Sequence, residues 1–363
     1  MKKLILFLAV CVSQAFAQDV HFSQYEFSPL MLNPALTSVD KHLQAAVQHK
    51  DQWRSLNGYR TSALSFEMKF DPKNWIKVKR KTEVYTPRGD EGFAFGINVF
   101  SDVAGDGNMK QLAASFVLAY HLQVSAHSRL STGIKGGFIQ KSISPEGLRF
   151  NSQYTPDGAY NSGISSGESF SYLNFMNADL AGGILYSYNT EATSISANDQ
   201  KSVKAGFSMD HLNRPGQTFV SGNSFGREFI KCTFHANAMI GIHNTPLSIG
   251  SSALLYLQGV QKEAIAGILF KYSIRQESKY TGVNKPKSIS VGCYYRMADA
   301  VIPTLLYEFN QFSVGISYDV NASGLSSATW GRGGVEIGLR FFNISPFLYQ
   351  NKVSQGRGAG ANH

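Results

Sequence analysis

The side chains that could carry out catalysis or bind a metal are scattered along this chain. Its 363 residues include nine histidines and three cysteines, but their spacing matches no set of zinc ligands. The sequence lacks the Gly-x-Ser-x-Gly turn that presents a nucleophilic serine, and its Ser, His and Asp residues form no distinctive pattern. We therefore expect no active site, no cofactor and no metal site, and we keep an enzyme only as the third alternative.

A short acidic stretch resembles part of a calcium-binding loop. Asp102, Asp106, Gly107 and Asn108 supply suitable oxygen ligands and a turn-forming glycine. The spacing of a calcium loop and its closing glutamate are missing. An ordinary extracellular turn explains these residues better.

A run of basic residues could bind a negatively charged partner. It contains Lys77, Lys79, Arg80 and Lys81, and such runs often bind nucleic acid. The export signal described next argues against nucleic acid. A solvated loop is one interpretation, and contact with an acidic periplasmic partner or with lipid headgroups is the other.

The N-terminus has the pattern of a secretory signal peptide. Lys2 and Lys3 precede an apolar run over residues 4–12, and Ala15 and Ala17 supply the small residues of a cleavage site. We expect a signal peptide over residues 1–17 and a mature chain that begins at Gln18.

Cysteine usage fits this export. Lipidation of Cys11 would make the chain a lipoprotein, but Val10 stands where a small residue should precede the lipidated cysteine. Cys232 and Cys293 remain after processing, and both fall on the apolar side of predicted strands. We expect two free thiols rather than a disulfide.

Alternation with a period of two runs through most of the chain. In its clearest instance, apolar side chains on one face alternate with small or charged ones on the other: Val335, Ile337, Leu339 and Phe341 against Glu336, Gly338 and Arg340. Of the regular structures, only a β-strand places these two sets of side chains on opposite faces. A soluble sandwich also alternates, but segments of about ten residues match membrane strands better. The fold class predicted is therefore an all-β, antiparallel transmembrane barrel.

The same pattern predicts about fourteen strands. They start near Leu43, Thr61, Glu91, Gln111, Arg129, Asn177, Val203, Glu228, Leu247, Glu263, Ser288, Ala300, Gln311 and Gly333. The count could differ by two, because Gln111–Gln123 also reads as a helix and Pro303 interrupts its strand. An even count allows both termini to lie in the periplasm.

The connections differ in length. With the first strand running outward, the connection over residues 143–176 is the longest extracellular loop, and short turns near 124–128, 243–246 and 309–310 are periplasmic. The periplasmic connection over 71–90 is an exception because it is long. Several charges face the interior, and we expect them to pair with one another or with a plug: Lys135, Lys231, Lys271, Arg296, Asp319, Glu336 and Arg340.

The segment after the signal peptide, QDVHFSQYEFSPLMLNPA, resembles the mature N-terminus of the PorP/SprF family of Bacteroidetes outer-membrane proteins. The matching residues are Asp19, Phe22, Ser23, Gln24, Pro29, Asn33, Pro34 and Ala35. Further matches follow in family order: Gln52-Trp53-Arg54, Tyr59, Thr61, the Asp102–Gly107 turn, Tyr294-Tyr295-Arg296 and Ser317-Tyr318-Asp319. Together they span nearly the whole mature chain.

This resemblance implies a barrel that works with the type IX secretion system, which exports proteins across the outer membrane and, in gliding species, supports surface adhesins. It implies partners of the PorK, PorN and PorE type in the periplasm, besides outer-membrane lipid and a secreted or adhesin cargo. The family residues that could contact partners are Phe22, Ser23, Gln24, Pro29, Asn33, Pro34, Trp53 and Arg54. Trp53 and Arg54 also fit an interfacial aromatic with a snorkelling neighbour.

The N-terminal stretch suggests a plug. Pro29 and Pro34 prevent a regular strand, and Asn33 can cap the turn into Pro34. Its apolar side chains need burial in or under the periplasmic mouth: Phe22, Tyr25, Phe27, Leu30, Met31 and Leu32. The stretch either seals and stabilises the barrel or forms a docking surface for secretion partners.

These predictions divide the chain into a signal peptide (1–17), a periplasmic or plug segment (18–42), an outer-membrane barrel (43–342) and a periplasmic tail (343–363). The function expected is that of a non-enzymatic secretion accessory protein that anchors or recognises cargo and couples to periplasmic ring proteins. The alternative is a FadL-like transporter of small hydrophobic solutes.

Overall fold

The computed structural model describes residues 21–53, 58–70, 91–144, 148–167, 173–190, 198–217, 219, 226–275, 286–323 and 331–343. These residues contain fourteen strands: β1 (Leu43–Gln52), β2 (Tyr59–Phe70), β3 (Gly92–Ala104), β4 (Met109–Gln123), β5 (Ser128–Ser142), β6 (Asn174–Asn189), β7 (Lys201–Asp210), β8 (Lys231–Gly241), β9 (Leu247–Gln258), β10 (Gln261–Arg275), β11 (Lys287–Arg296), β12 (Ala300–Phe309), β13 (Phe312–Asn321) and β14 (Arg332–Asn343). One four-residue helix, α1 (Pro29–Leu32), precedes them.

The strands form a closed antiparallel barrel in sequence order. Closure occurs between β1 and β14, whose pairing runs from Leu43 with Asn343 to Gln52 with Gly334. Every strand begins within three residues of its predicted start. The predicted fourteen-stranded barrel is confirmed.

Alternation places apolar side chains on the outside of this barrel. In β14, Val335, Ile337 and Leu339 are 42 to 50% exposed, whereas Glu336 between them is fully buried. A soluble protein rarely exposes so continuous an apolar face. Strands of 10 to 16 residues are also long enough to cross the hydrocarbon layer when tilted. The outer face is therefore the lipid-facing surface.

The two segments whose sequence left the strand prediction open, Gln111–Gln123 and the one that contains Pro303, are both strands. Gln111–Gln123 lies in β4, which pairs along its length with β3 and β5, so pairing overrides the helix-forming residues in that stretch. Pro303 lies within β12 opposite Cys293 of β11. On its other side, the described pairing with β13 passes from Val301 to Thr304. The proline therefore sits where the ladder is interrupted, as its missing N–H requires.

The barrel has two mouths. Connections that follow odd-numbered strands lie at one mouth, which we call the loop mouth. Connections that follow even-numbered strands lie at the other, the turn mouth, together with the start of β1 and the end of β14. The loop mouth carries the connection between β5 and β6, over residues 143–173.

Several predictions fall outside the described residues: the signal peptide over 1–17, the connection over 71–90, and the tail beyond Asn343. Cys232 and Cys293 are free thiols. Among the described residues, none belongs to a helix that is long and apolar enough to cross a membrane.

The predicted inward charges lie inside the barrel, and most form ion pairs there. Lys135 contacts Asp210 at 2.5 Å, and Arg340 contacts Glu308 at 3.4 Å. Lys271 also pairs with Glu308. Such pairing lowers the cost of holding charges away from bulk water.

Candidate functional site

A stretch of chain before β1 runs through the barrel lumen. We call residues 21–42 the N-terminal segment. It contains a 3-10 turn over Tyr25–Phe27, then α1, and then a 3-10 turn over Pro34–Leu36. The last two begin at proline, whose fixed φ and missing N–H suit the first position of a helix. The segment therefore satisfies much of its backbone locally and adds no strand to the sheet.

Apolar side chains of the N-terminal segment pack against the inner wall. Phe22, Tyr25, Phe27, Leu30 and Leu32 are buried, and Met31 is partly buried. Tyr25 and Leu32 share one cluster with side chains of β9 to β12: Leu254, Tyr256, Ile265, Leu269, Tyr294, Ala300 and Ile302. Full burial of one such side chain contributes about 1.5–3 kcal/mol. The segment thus supplies an apolar core inside the barrel.

Buried charges bind the first residues of the N-terminal segment. We call this set the Glu336 cluster: Lys50, Arg296, Asp319 and Glu336. The Glu336 carboxylate accepts hydrogen bonds from the backbone N–H groups of Ser23 at 2.9 Å and Gln24 at 2.6 Å. Arg296 contacts Asp319 at 3.0 Å and donates to the Ser23 hydroxyl at 2.6 Å. Charged hydrogen bonds of this kind are strong, so the cluster fixes the backbone of the segment.

Asn33 bonds the middle of the N-terminal segment to three strands, β6, β7 and β8. Its Nδ2 lies 3.0 Å from the Ile184 carbonyl oxygen, 3.3 Å from that of Phe207, and 3.0 Å from Nε2 of His235. Its Oδ1 accepts from the backbone N–H of Ala35 at 2.8 Å. The expected cap of the turn into Pro34 is present, and the same amide also reaches the wall.

Glycines on the inner wall leave room for the N-terminal segment. A Cβ added at Gly133 would lie 2.4 Å from the carbonyl carbon of Pro34, and one at Gly183 would lie 2.1 Å from Oδ1 of Asn33. Other inward glycines contact side chains of the segment in the same way: Gly96, Gly206, Gly315 and Gly338. The absence of side chains at these glycines therefore leaves the space that the N-terminal segment occupies in the lumen.

The last residues of the N-terminal segment are bound near the turn mouth. His121 lies 2.9 Å from the Thr37 carbonyl oxygen, and Arg129 donates to the carbonyl oxygen of Val39 at 2.6 Å. Asp40 forms an ion pair with Lys204. The segment is thus attached at both ends and in its middle, and it is not confined to one mouth.

A cavity of about 350 Å³ lies beside the N-terminal segment and extends toward the turn mouth. Its lining is mixed, with apolar side chains such as Leu36 and Leu269 and charged ones such as Asp40, Glu308 and Arg340. The N-terminal segment forms one wall of this cavity. Any molecule in it would contact the segment directly.

The connection between β5 and β6 is an ordered surface loop over its described residues. Tyr154 and Tyr160 pair across it, with ring centroids 5.6 Å apart, and the Arg149 guanidinium lies 4.9 Å from the Tyr160 ring. Both tyrosines are exposed. A hydrogen bond from Thr155 lowers the pKa of the Asp157 carboxyl, so Asp157 carries a negative charge. Tyr, Ser, Gly and Asn predominate here, as they do in many protein-binding loops.

The structure brings together one group of the predicted contact residues. Phe22, Ser23, Gln24, Asn33 and Pro34 are buried, and Pro29 is partly buried, all in the N-terminal segment. Their role in partner contact stays a prediction.

Trp53 lies apart from that group, at the loop mouth, where its ring meets Tyr59 edge-on at 5.7 Å. Arg54 and the basic residues Lys77, Lys79, Arg80 and Lys81 lie outside the described residues.

Sequence reasoning missed the specific residues that hold the N-terminal segment. Glu336 was identified only as one of several inward charges expected to pair with one another or with a plug, and Gly133 was not singled out. The usable signal was alternation with a period of two, which places Glu336 on an inward face. Within the described residues, no group of three or more His, Cys, Asp or Glu side chains could hold a metal ion.

Comparisons with known proteins give one match that covers most of the chain. A family model described as "Type IX secretion system membrane protein PorP/SprF" matches residues 14–341. No curated protein matches.

Solved structures with a similar fold include three proteins. One is CdiB from Acinetobacter baumannii, with a TM-score of 0.41, 7% identity, and coverage of 83% of this chain and 60% of that one. BamA from Haemophilus ducreyi lacking POTRA domains 1–3 has a TM-score of 0.36 and 8% identity, with coverage of 83% of this chain and 70% of that one. LpxR from Salmonella typhimurium has a TM-score of 0.32 and 9% identity, with coverage of 82% of this chain and 99% of that one. The chain thus spans 60% of the length of the CdiB chain, and these likenesses carry no functional argument.

Proposed function

Because this chain belongs to the PorP/SprF family of type IX secretion system membrane proteins, we propose that it is a non-enzymatic accessory component of that system. In the outer membrane it anchors or recognises exported cargo on one side and couples to periplasmic ring proteins on the other. The observation that carries this proposal is the filled lumen. The N-terminal segment occupies it and is held by the Glu336 cluster, by Asn33 and by the contacts near the turn mouth.

A filled lumen argues against the FadL-like transporter. Transport of a hydrophobic solute needs an open lumen or a gap in the wall beside an apolar pocket. In the described part of the barrel, each strand pairs with both of its neighbours. The cavity near the turn mouth is bounded by the N-terminal segment and contains charged side chains, which suit a hydrophobic solute poorly.

Cargo contact is assigned to the loop mouth. The exposed pair Tyr154 and Tyr160 provides large, rigid contact area, and the hydrogen bond from the Ser152 hydroxyl to the Ser166 carbonyl oxygen, at 2.6 Å, preorders the loop. An exported protein or surface adhesin that pauses at the outer face would meet this loop first.

Coupling to the envelope machinery is assigned to the turn mouth. Outer-membrane barrels with an even number of strands place short turns in the periplasm, so β1 begins and β14 ends on that side. The basic residues Lys77, Lys79, Arg80 and Lys81 lie in the sequence between β2 and β3, and the end of β2 and the start of β3 are at this mouth. We propose that they contact an acidic surface on a ring protein of the PorK or PorN type, or on a PorE-type anchoring protein.

Co-purification from cross-linked outer membranes tests this function. We expect the wild-type chain to recover ring proteins together with an exported protein. The double variant Tyr154→Ala with Tyr160→Ala should lower recovery of the exported protein about tenfold, which corresponds to about 1.4 kcal/mol, and should leave ring proteins unchanged.

The matched control is Tyr154→Phe with Tyr160→Phe, which keeps both rings and should behave as wild type. Replacing the four basic residues at 77, 79, 80 and 81 with Gln should lower only the recovery of ring proteins. Recovery of lipid alone by the wild-type chain would contradict the proposal and favour the transporter.

A further inference from the structure

The N-terminal segment crosses the lumen in a definite direction. Its first described residue, His21, contacts Glu263 at 3.1 Å. Glu263 follows the start of β10 by two residues, and β10 begins at the loop mouth. The imidazole ring also lies 5.9 Å from the ring of Tyr256, near the end of β9 at that same mouth.

The next residues of the N-terminal segment are also bound at the loop mouth. Ser23 contacts Arg296 and Asp319. Arg296 is the last residue of β11, and it also bonds Asp299, in the connection between β11 and β12, at 2.9 Å. Asp319 lies two residues from the end of β13. All of these positions are at the loop mouth.

The other end of the N-terminal segment lies at the opposite mouth. Val39 contacts Arg129, the second residue of β5, and Asp40 contacts Lys204, the fourth residue of β7. Both strands begin at the turn mouth. The chain therefore passes from the loop mouth to the turn mouth between residues 21 and 42, and β1 then returns toward the loop mouth.

From this direction we infer that the chain preceding His21 leaves the barrel at the loop mouth, so that the mature amino terminus is displayed at the cell surface. The carboxy-terminal end of β14 lies at the turn mouth, hence on the opposite side of the membrane. This inference differs from the expectation that both termini are periplasmic. The inference rests on the proposed orientation, in which the turn mouth faces the periplasm.

The amino terminus then belongs to the outer interaction surface. Its nearest described residues, His21 and Ser23, lie beside the short connections that follow β9 and β11, and they share the loop mouth with Tyr154 and Tyr160. An exported protein held at this face would meet the amino-terminal end as well as the loop. The residues of the N-terminal segment nearest the periplasm are 38–42, and the buried family residues Phe22, Ser23 and Gln24 lie far from any periplasmic partner.

Cysteine labelling in intact cells tests this inference. The full chain carrying Cys232→Ser and Cys293→Ser receives one new cysteine, and cells are treated with a membrane-impermeant maleimide before or after permeabilisation. We expect Asp19→Cys to be labelled in intact cells as fully as Asp106→Cys, in the connection between β3 and β4. Ala126→Cys, in the connection between β4 and β5, should be labelled only after permeabilisation. Heat-dependent migration on gels shows that each variant forms the barrel.

The outcomes separate the inference from the proposed orientation. Labelling of Asp19→Cys only after permeabilisation, together with Ala126→Cys, overturns the direction of the N-terminal segment. Failure to label Asp19→Cys in either condition, with barrel formation intact, means that the chain ends inside the lumen and also overturns the inference. If Ala126→Cys alone is labelled in intact cells, the barrel orientation in the proposed function is wrong.

Discussion

Gly133 lies where the inner wall of β5 comes closest to the N-terminal segment. The Gly133→Ala variant would place a methyl group 2.4 Å from the backbone of Pro34, and a proline in a tight turn cannot move aside easily. We expect a loss of about 1–3 kcal/mol in the free energy of unfolding, measured by urea titration of the protein in lipid vesicles.

Gly136→Ala is the matched control in the same strand. Its added methyl group would meet only the Leu180 side chain, at an ordinary contact distance of 3.6 Å. The free energy of unfolding should change by no more than about 0.5 kcal/mol. Equal effects of the two substitutions would mean that the N-terminal segment does not press against Gly133.

Individual residues were predicted from sequence only where the reason is local. Asn33 caps a turn two residues away, and Pro29 and Pro34 keep the N-terminal segment from forming a regular strand, so neighbouring positions were enough to predict these roles. The contact between Ser23 and Glu336 joins positions 313 residues apart. Alternation predicted that Glu336 faces inward but carried no information about its partner.

At the scale of elements, the N-terminal segment depends on the Glu336 cluster. The Glu336→Ala variant would leave the N–H groups of Ser23 and Gln24, and the amide of Gln48 at 2.7 Å, without this acceptor. Breaking a buried ionic contact costs about 3–5 kcal/mol. We expect faster proteolysis of the N-terminal segment and a lower free energy of unfolding.

Two variants make this measurement specific. Glu336→Gln keeps one acceptor oxygen and should lose less stability than Glu336→Ala. Asp157→Asn removes an exposed carboxylate from the loop between β5 and β6 and should leave proteolysis of the N-terminal segment unchanged. Identical behaviour of Glu336→Ala and wild type would show that other contacts hold the segment.

Strands were the most predictable elements of this protein. Alternation of apolar and small or polar side chains over ten or more residues arises directly from a wall with lipid outside and packed side chains inside. It also predicted strand starts near the turn-forming clusters. The helical interpretation of Gln111–Gln123 arose because its alanines and leucines favour helices locally, and only pairing with β3 and β5 decides between the two structures.

At the scale of the whole molecule, closure and occupancy of the barrel determine what it can do. Strand count and order could be predicted from the sequence, since consecutive long strands in an even number close most simply as neighbours. The depth and direction of the N-terminal segment could not, because they depend on inward side chains from most of the strands. These features support the proposed binding component over a pore, and they could be read only from the structure.

Ionic conductance of the purified protein in a planar lipid bilayer tests this account most directly. The lumen of the wild-type protein is filled by a segment attached at both ends and in its middle, so we predict membrane insertion without a steady open conductance. The Glu336→Ala variant should open more often, because its segment is released more easily. A steady, ohmic channel in the wild-type protein would contradict the account, since ions would then pass where the N-terminal segment is placed.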